Sequence, residues 1–208
     1  PRWQVVQADT RLSKQEWGNY VVLKPDIGAR GYKVRIKATG RVNGAKYKDD
    51  KGVLLAQQFI YTGPEPVAYR ALTLFGKVLY LECYRNTECG NSLAGPDSFH
   101  EAAGHNIVAG ARGGQRELVE DESIQKFAED VAMLCFPDVP ILGFDVMREI
   151  KTGQLYVAEV NPYGQTWHFS SETGKGMQNN YGIDYAAQFG AFDIAAKRLI
   201  EVARERAI

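Results

Sequence analysis

Net charge is the first thing this chain lacks. Its 25 Lys and Arg balance 25 Asp and Glu over 208 residues, so no basic excess offers a non-specific grip on nucleic acid or an anionic membrane surface. It also lacks a run of 18 apolar residues and a basic-then-apolar leader, which excludes a membrane-spanning helix and a signal peptide as readings. Cysteines number three (Cys83, Cys89, Cys135), an odd count without metal-site spacing. That predicts free thiols in a reducing cytoplasm rather than a disulfide framework or a zinc centre. The three histidines, His100, His105 and His168, have neither metal spacing nor a nucleophile partner, and read as polar surface. No GxGxxG follows a strand and opens a helix, which argues against a dinucleotide-dependent dehydrogenase. Internal repeats and low-complexity segments are absent too. What is present is 45% hydrophobic and 24% charged, an ordinary globular composition with enough length for one large domain or two small ones.

The apolar patterning predicts an α+β fold. Trp3-Gln4-Val5-Val6, Tyr20 to Pro25, Val34-Arg35-Ile36, Val53 to Ile60, Val67 to Phe75 and Lys77 to Tyr84 read as strands. Residues 86–114 read as a long loop. Apolar positions between Glu120 and Cys135 recur at helical spacing, and a broad stripe through Ala187, Phe189, Phe192, Ala195, Leu199 and Val202 predicts a last helix over Tyr185 to Ala207. Between the helices, Ile141 to Met147 and the segment ending in Glu159-Val160-Asn161 read as two strands joined by a turn at Lys151-Thr152-Gly153-Gln154.

That hairpin carries the most informative residues. Residues two apart on a strand share a face, so Glu159 and Asn161 present oxygen ligands to one side, and folding the hairpin brings Asp145 beside them. Two carboxylates and an amide oxygen suit Mg²⁺, which takes hard oxygen donors and usually keeps waters or phosphates as the remainder; a solvent-facing acidic pair is the plainer alternative. Lys24 ends a strand just before a basic loop with Gly28 and Gly31, where an ammonium and bare backbone N–H groups suit phosphates, although a surface hairpin fits as well. Gln57, Gln58 and the backbone of Phe59 and Ile60 form either a hinge that reads an adenine edge or an edge strand with exposed amides. Glu65, after a Gly-Pro turn, is placed to accept ribose hydroxyls or simply to be solvated. Arg70 interrupts an apolar strand, and its planar fork favours a phosphate or carboxylate partner.

Taken in order, Val21-Val22-Leu23-Lys24-Pro25, the Gly28/Gly31 loop, Gln57-Gln58-Phe59-Ile60, Tyr69-Arg70 before Gly76-Lys77, Gly143-Phe144-Asp145 and Glu159-Val160-Asn161-Pro162 resemble the ATP-grasp ligases. The likeness is greatest to the branch with ribosomal-protein glutamate ligases and D-alanine–D-alanine ligases, and it runs over residues 20–200. The resemblance implies two α+β subdomains with antiparallel sheets around a nucleotide cleft: residues 1–60 as a partial, N-terminally truncated first subdomain and 61–208 as the second, with the metal site. It implies Lys24 at the nucleotide phosphates, Gly28 to Gly31 as the phosphate lid, Gln58, Phe59 and Ile60 at the adenine, and Glu65 at the ribose. Arg70 would steady the transferring phosphate, with Asp145, Glu159 and Asn161 as metal ligands. The family's preceding lysine and its N-terminal substrate domain have no counterpart here. The implied activity is Mg²⁺-dependent (or Mn²⁺-dependent) activation of a carboxylate by ATP for attack by an amine. A binding module without ligation, or a phosphotransferase, are the alternatives. Implied partners are ATP and a small-molecule or peptide carboxylate, with no nucleic acid and no membrane; a homo-oligomer is compatible with the sequence.

Overall fold

The computed structural model describes residues 1–27, 33–47, 52–87, 114–162 and 166–207. They fall into two compact units. One is drawn from Pro1–Val67, Arg85–Gly114 and Arg148–Gln154, the other from Ala68–Tyr84, Gln115–Met147 and Leu155–Ile208.

The first unit holds a four-stranded sheet in the order β1-β4-β2-β3, made of β1 (Trp3–Val5), β2 (Tyr20–Pro25), β3 (Arg35–Ala38) and β4 (Leu54–Gln58). All three pairings are antiparallel. Alternation sorts its side chains. Val21, Leu23, Leu54 and Ala56 pack with Leu12, Trp17 and Val42 on one face, while Tyr20 and Val22 pack with Ile36, Phe59 and Tyr61 on the other. A one-turn helix, α1 (Lys14–Trp17), was not legible from periodicity; it is set by Ser13, whose hydroxyl caps Glu16 N–H while Glu16 reaches back to Ser13.

The second unit holds a five-stranded sheet in the order β7-β6-β5-β8-β9: β5 (Val67–Leu74), β6 (Lys77–Arg85), β7 (Gln115–Leu118), β8 (Ile141–Arg148) and β9 (Leu155–Asn161). Phe75 and Gly76 join β5 to β6 with φ of 43° and 79°, the left-handed pair expected of a tight hairpin. A side chain at 76 would also overlap Met133. One face of the sheet is mainly apolar: Ala71, Val78, Leu81, Leu142, Phe144 and Val146 bury against Ile124, Ala128 and Ala132 of α2 (Glu122–Cys135). Asp121 caps α2 by accepting from Ser123 N–H and Ile124 N–H.

The opposite face is half covered. Leu72, Leu74, Leu79 and Tyr80 pack against Tyr185, Ala191 and Ala195, the last two from α4 (Ala191–Arg206). This helix starts six residues later than its stripe predicts, because Asp184 closes a turn on Ala186 and Ala187 N–H and Gly190 takes a left-handed φ of 68°. The later start shifts the buried phase to Ala191, Ala195 and Val202, leaving Phe192 and Leu199 about half exposed. Between β9 and α4 lies α3 (Glu172–Tyr181), capped by Ser171, a glycine- and amide-rich helix that carries little periodic signal. Among the described residues no helix is long and apolar enough to cross a membrane. Cys83 is a buried free thiol and Cys135 an exposed one; Cys89, His100 and His105 lie outside the described residues.

Candidate functional site

Beyond the residues packed against Tyr185, Ala191 and Ala195, this face of the second sheet carries charge. On β5, Leu72 and Leu74 face the helix-covered side, so alternation puts Arg70 on that side too. On β8, Leu142, Phe144 and Val146 face α2, which sends Asp145 to the same face as Arg70. Arg70 and Asp145 are register partners across β5 and β8. Arg70 Nε donates to Asp145 Oδ1 and Nη2 to Oδ2, both at 2.8 Å, and the two side chains are 29% and 24% exposed. The sequence assigned them separately, one to phosphate and one to metal; the fold makes them a bidentate pair.

Strict alternation would not bring Glu159 to this face. Glu149 N–H donates to Gln154 carbonyl at the turn, a register that carried inward would set Asp145 opposite Ala158. Leu155, Val157 and Val160, however, all pack on the α2 side, and a step of two followed by a step of three requires one extra residue between Val157 and Val160. Such a slip would set Glu159 opposite Asp145 and Asn161 opposite Gly143, toward the Arg70 face. Glu159 is exposed. Asn161 Nδ2 is the one buried side-chain polar atom without a hydrogen-bond partner among the described residues. A buried orphan donor costs roughly 1–3 kcal/mol and is unusual enough to mark a place where a ligand atom is expected.

Electrostatics point the same way. Burial pushes the Asp145 carboxyl above the ordinary carboxylate range, and Arg70 opposes this only in part. Burial works against the Arg70 charge as well, but there Asp145 prevails and the guanidinium pKa stands above its usual value. A carboxylate whose ionised form is under-compensated gains from an added cation. No cluster of three or more His, Cys, Asp and Glu suited to a metal occurs among the described residues. The candidate set is two carboxylates and an amide, which fits a hard cation completing its shell with phosphate or water. To serve it, Asp145 would exchange Arg70 for the cation.

Next to these residues lies a buried network that sequence reasoning missed. Glu82 of β6 is 1% exposed; it accepts from Arg116 Nη1 at 2.8 Å and from Tyr185 hydroxyl at 2.6 Å. Arg116 also lies over the Tyr84 ring at 4.8 Å. Burial and then Glu82 push the Tyr80 and Tyr185 hydroxyls well up, so both remain donors. Tyr80 hydroxyl contacts Thr166 carbonyl at 3.0 Å and His168 Nδ1 at 2.9 Å. His168 is therefore a core residue, 1% exposed, not polar surface, and Thr166 beside it is also buried. A side chain at Gly143 would overlap Thr166. The signal for Glu82 was available: a lone acid in an apolar strand, the same signal that singled out Arg70.

In the first unit, Lys24 pairs with Leu55 and alternates onto the face of Tyr20 and Val22, where Tyr20 and Phe59 meet edge to face at 6.4 Å. Ile60 is buried beside them in the chain. Gln57, opposite Val22 and buried, shares this face. Gln58 turns to the other, where its Oε1 accepts from Arg2 N–H at 3.3 Å. Ile150 N–H donates to Tyr61 carbonyl at 3.0 Å. Glu65 lies 3.7 Å from Arg85 Nη1 in an exposed ion pair. Gly28 and Gly31 lie outside the described residues.

No protein-family model and no curated protein matches this sequence. Solved structures do match in fold. D-Alanine–D-alanine ligase from Bacillus anthracis complexed with ATP has a TM-score of 0.51 at 16% identity, covering 98% of this chain and 62% of that one. ATP-grasp ligase PsnB, complexed with a phosphomimetic variant of its minimal precursor, Mg and ADP, has a TM-score of 0.54 at 13% identity, with coverages of 94% and 53%. D-Cycloserine synthetase DcsG has a TM-score of 0.51 at 15% identity, with coverages of 76% and 55%. At these identities the likeness is one of fold, and the chain spans between 53% and 62% of the length of these three proteins.

Proposed function

The fold is that of the ATP-grasp proteins, and on that premise we propose that this chain is the nucleotide- and metal-binding portion of an ATP-dependent ligase. The ligase would activate a carboxylate as an acyl phosphate for capture by an amine or a similar nucleophile. The observation that supports this reading is the buried, unpartnered Asn161 Nδ2 at the end of β9, the strand next to the one that carries Asp145. Asp145, Glu159 and the Asn161 oxygen would hold Mg²⁺, with Mn²⁺ as a substitute, leaving Asn161 Nδ2 to donate to a phosphate oxygen. When bound, the cation supplies charge neutralisation at the β- and γ-phosphates. Arg70, released from Asp145, keeps a planar donor fork for the oxygens of the transferring phosphoryl group. Lys24 would neutralise phosphate charge, Phe59 and Ile60 would contact the base with the Gln58 backbone, not its side chain, at the hinge, Gly28 and Gly31 would line the phosphate loop, and Glu65 would accept the ribose hydroxyls. Such a site needs no nucleophile or base of its own, because phosphoryl transfer rests on positioning and electrostatics.

The test is ADP release. The chain, in its full-length protein where a longer one exists, is incubated with ATP, Mg²⁺ and panels of carboxylic acids and amines. The reading requires release that depends on both an acid and an amine, with a product mass matching an amide. Nucleotide binding without turnover under every pairing would reduce the protein to a binding module, and a stable phosphate ester would make it a phosphotransferase.

A further inference from the structure

Glu82 is fully buried yet takes no part in the site as proposed, and its place in the sheet is informative. Leu74 and Lys77 flank the tight Phe75-Gly76 turn, so an unbroken ladder would set Arg70 opposite Leu81. Leu79 and Tyr80 both pack on the helix-covered face, while Val78 and Leu81 face α2; β6 therefore carries one extra residue. Gln188 ties Leu81 to the β7 side of the strand: its amide accepts from Leu81 N–H and donates to the Leu81 carbonyl, both at 2.9 Å, and donates to the Val119 carbonyl at 2.8 Å. The slip brings Glu82 opposite Arg70. In strand order the charges run Arg116, Glu82, Arg70, Asp145, Glu159, with alternating sign until the last step; Arg116 reaches Glu82 by its side chain while lying over the Tyr84 ring. Arg70 stands between two carboxylates, bonded to Asp145 and coupled through space to Glu82.

We propose that Glu82 is a positioning residue: it is the second counter-charge of Arg70, which lets Asp145 leave the guanidinium for a cation without stranding Arg70, and Arg116 sets how strongly it does so. The inference rests on the metal-site reading above. Hydrogen bonds to Arg116 and Tyr185 occupy Glu82, so it acts by charge rather than by contact with a ligand.

The test measures how much Mg²⁺ strengthens binding of a non-hydrolysable ATP analogue, by calorimetry with and without the metal. Glu82→Gln keeps an acceptor for Tyr185 and removes the charge. It is expected to cut the Mg²⁺ enhancement about tenfold, the scale of one unit charge a strand or two away at intermediate dielectric. Arg116→Gln frees Glu82 to act on Arg70 and is expected to raise the enhancement, by about threefold. Opposite signs are the signature, since damage to the fold would lower both. The double variant buries neither charge, carries the test should a single variant not fold, and is expected to fall about threefold below wild type, because Glu82 is one strand closer to Asp145 than Arg116. Equal or same-direction shifts in the two single variants, or a double variant at the wild-type value, would overturn the proposal while leaving the metal site standing. A wild-type protein with no Mg²⁺ enhancement would overturn the metal-site reading itself, and this inference with it.

Discussion

Asp145→Asn separates the two roles the structure gives this carboxylate. Asparagine keeps the shape and one acceptor oxygen, but loses the charge and turns its amide nitrogen toward an Arg70 donor. Two charge-assisted bonds at 2.8 Å become one neutral acceptor contact and one unfavourable one. With charged bonds worth roughly 1.5–3 kcal/mol and neutral ones roughly 0.5–1.5 kcal/mol, the gross loss is about 3–4 kcal/mol. Two terms reduce it: the desolvation that pushes the carboxyl upward is relieved, and water reaches side chains that are 24–29% exposed. The net loss of folding stability should be about 1–2 kcal/mol, read as a shift in urea midpoint at unchanged slope. Mg²⁺-dependent nucleotide affinity should fall at least about a hundredfold, since even groups behind the ligands cost about ten- to a hundredfold. A variant that kept wild-type metal dependence, or lost more than about 4 kcal/mol of stability, would mark Arg70–Asp145 as a structural ion pair and refute the reasoning.

Tyr80→Phe leaves the Thr166 carbonyl and His168 Nδ1 without their shared partner in a buried setting, and should cost about 2–4 kcal/mol; a loss under about 0.5 kcal/mol in denaturant unfolding would show that the hydroxyl is dispensable. Slight burial opposes ionisation of Glu149, but its bonds from Thr152 prevail and hold its carboxyl below the ordinary value of 4.5. Its stabilisation is therefore fully present above that value and is lost as pH falls through the lower folded pKa. The stability gap between wild type and Glu149→Gln should close on acidification, and a gap that widened would contradict the sign.

Elements governed by local pattern were legible in the sequence. The β2 run, the β8–β9 hairpin and the apolar face of α2 follow from periodicity and turn residues alone. What escaped depends on distant partners. The one-residue slips inferred in β6 and β9 follow only from which cluster Leu81 and Val160 join. A period-of-two reading groups Glu159 with Asn161, but it has no means to see a slip such as the one that the packing of Val157 and Val160 implies. His168 passed for surface because nothing near it in sequence announces Tyr80. Arg70 and Asp145 were each noticed singly, because an ion pair across antiparallel strands 75 residues apart leaves no trace in spacing.

In the proposed metal site Glu159, Asp145 and the Asn161 oxygen would hold a divalent ion against nucleotide phosphates. Its most direct measurement is Mn²⁺ paramagnetic broadening of bound ATP phosphorus signals in wild type, Glu159→Gln and Lys24→Ala. Strong broadening is expected in wild type, its loss in Glu159→Gln with the fold intact, and weakened nucleotide binding in Lys24→Ala. Undiminished broadening in Glu159→Gln would contradict the proposed site.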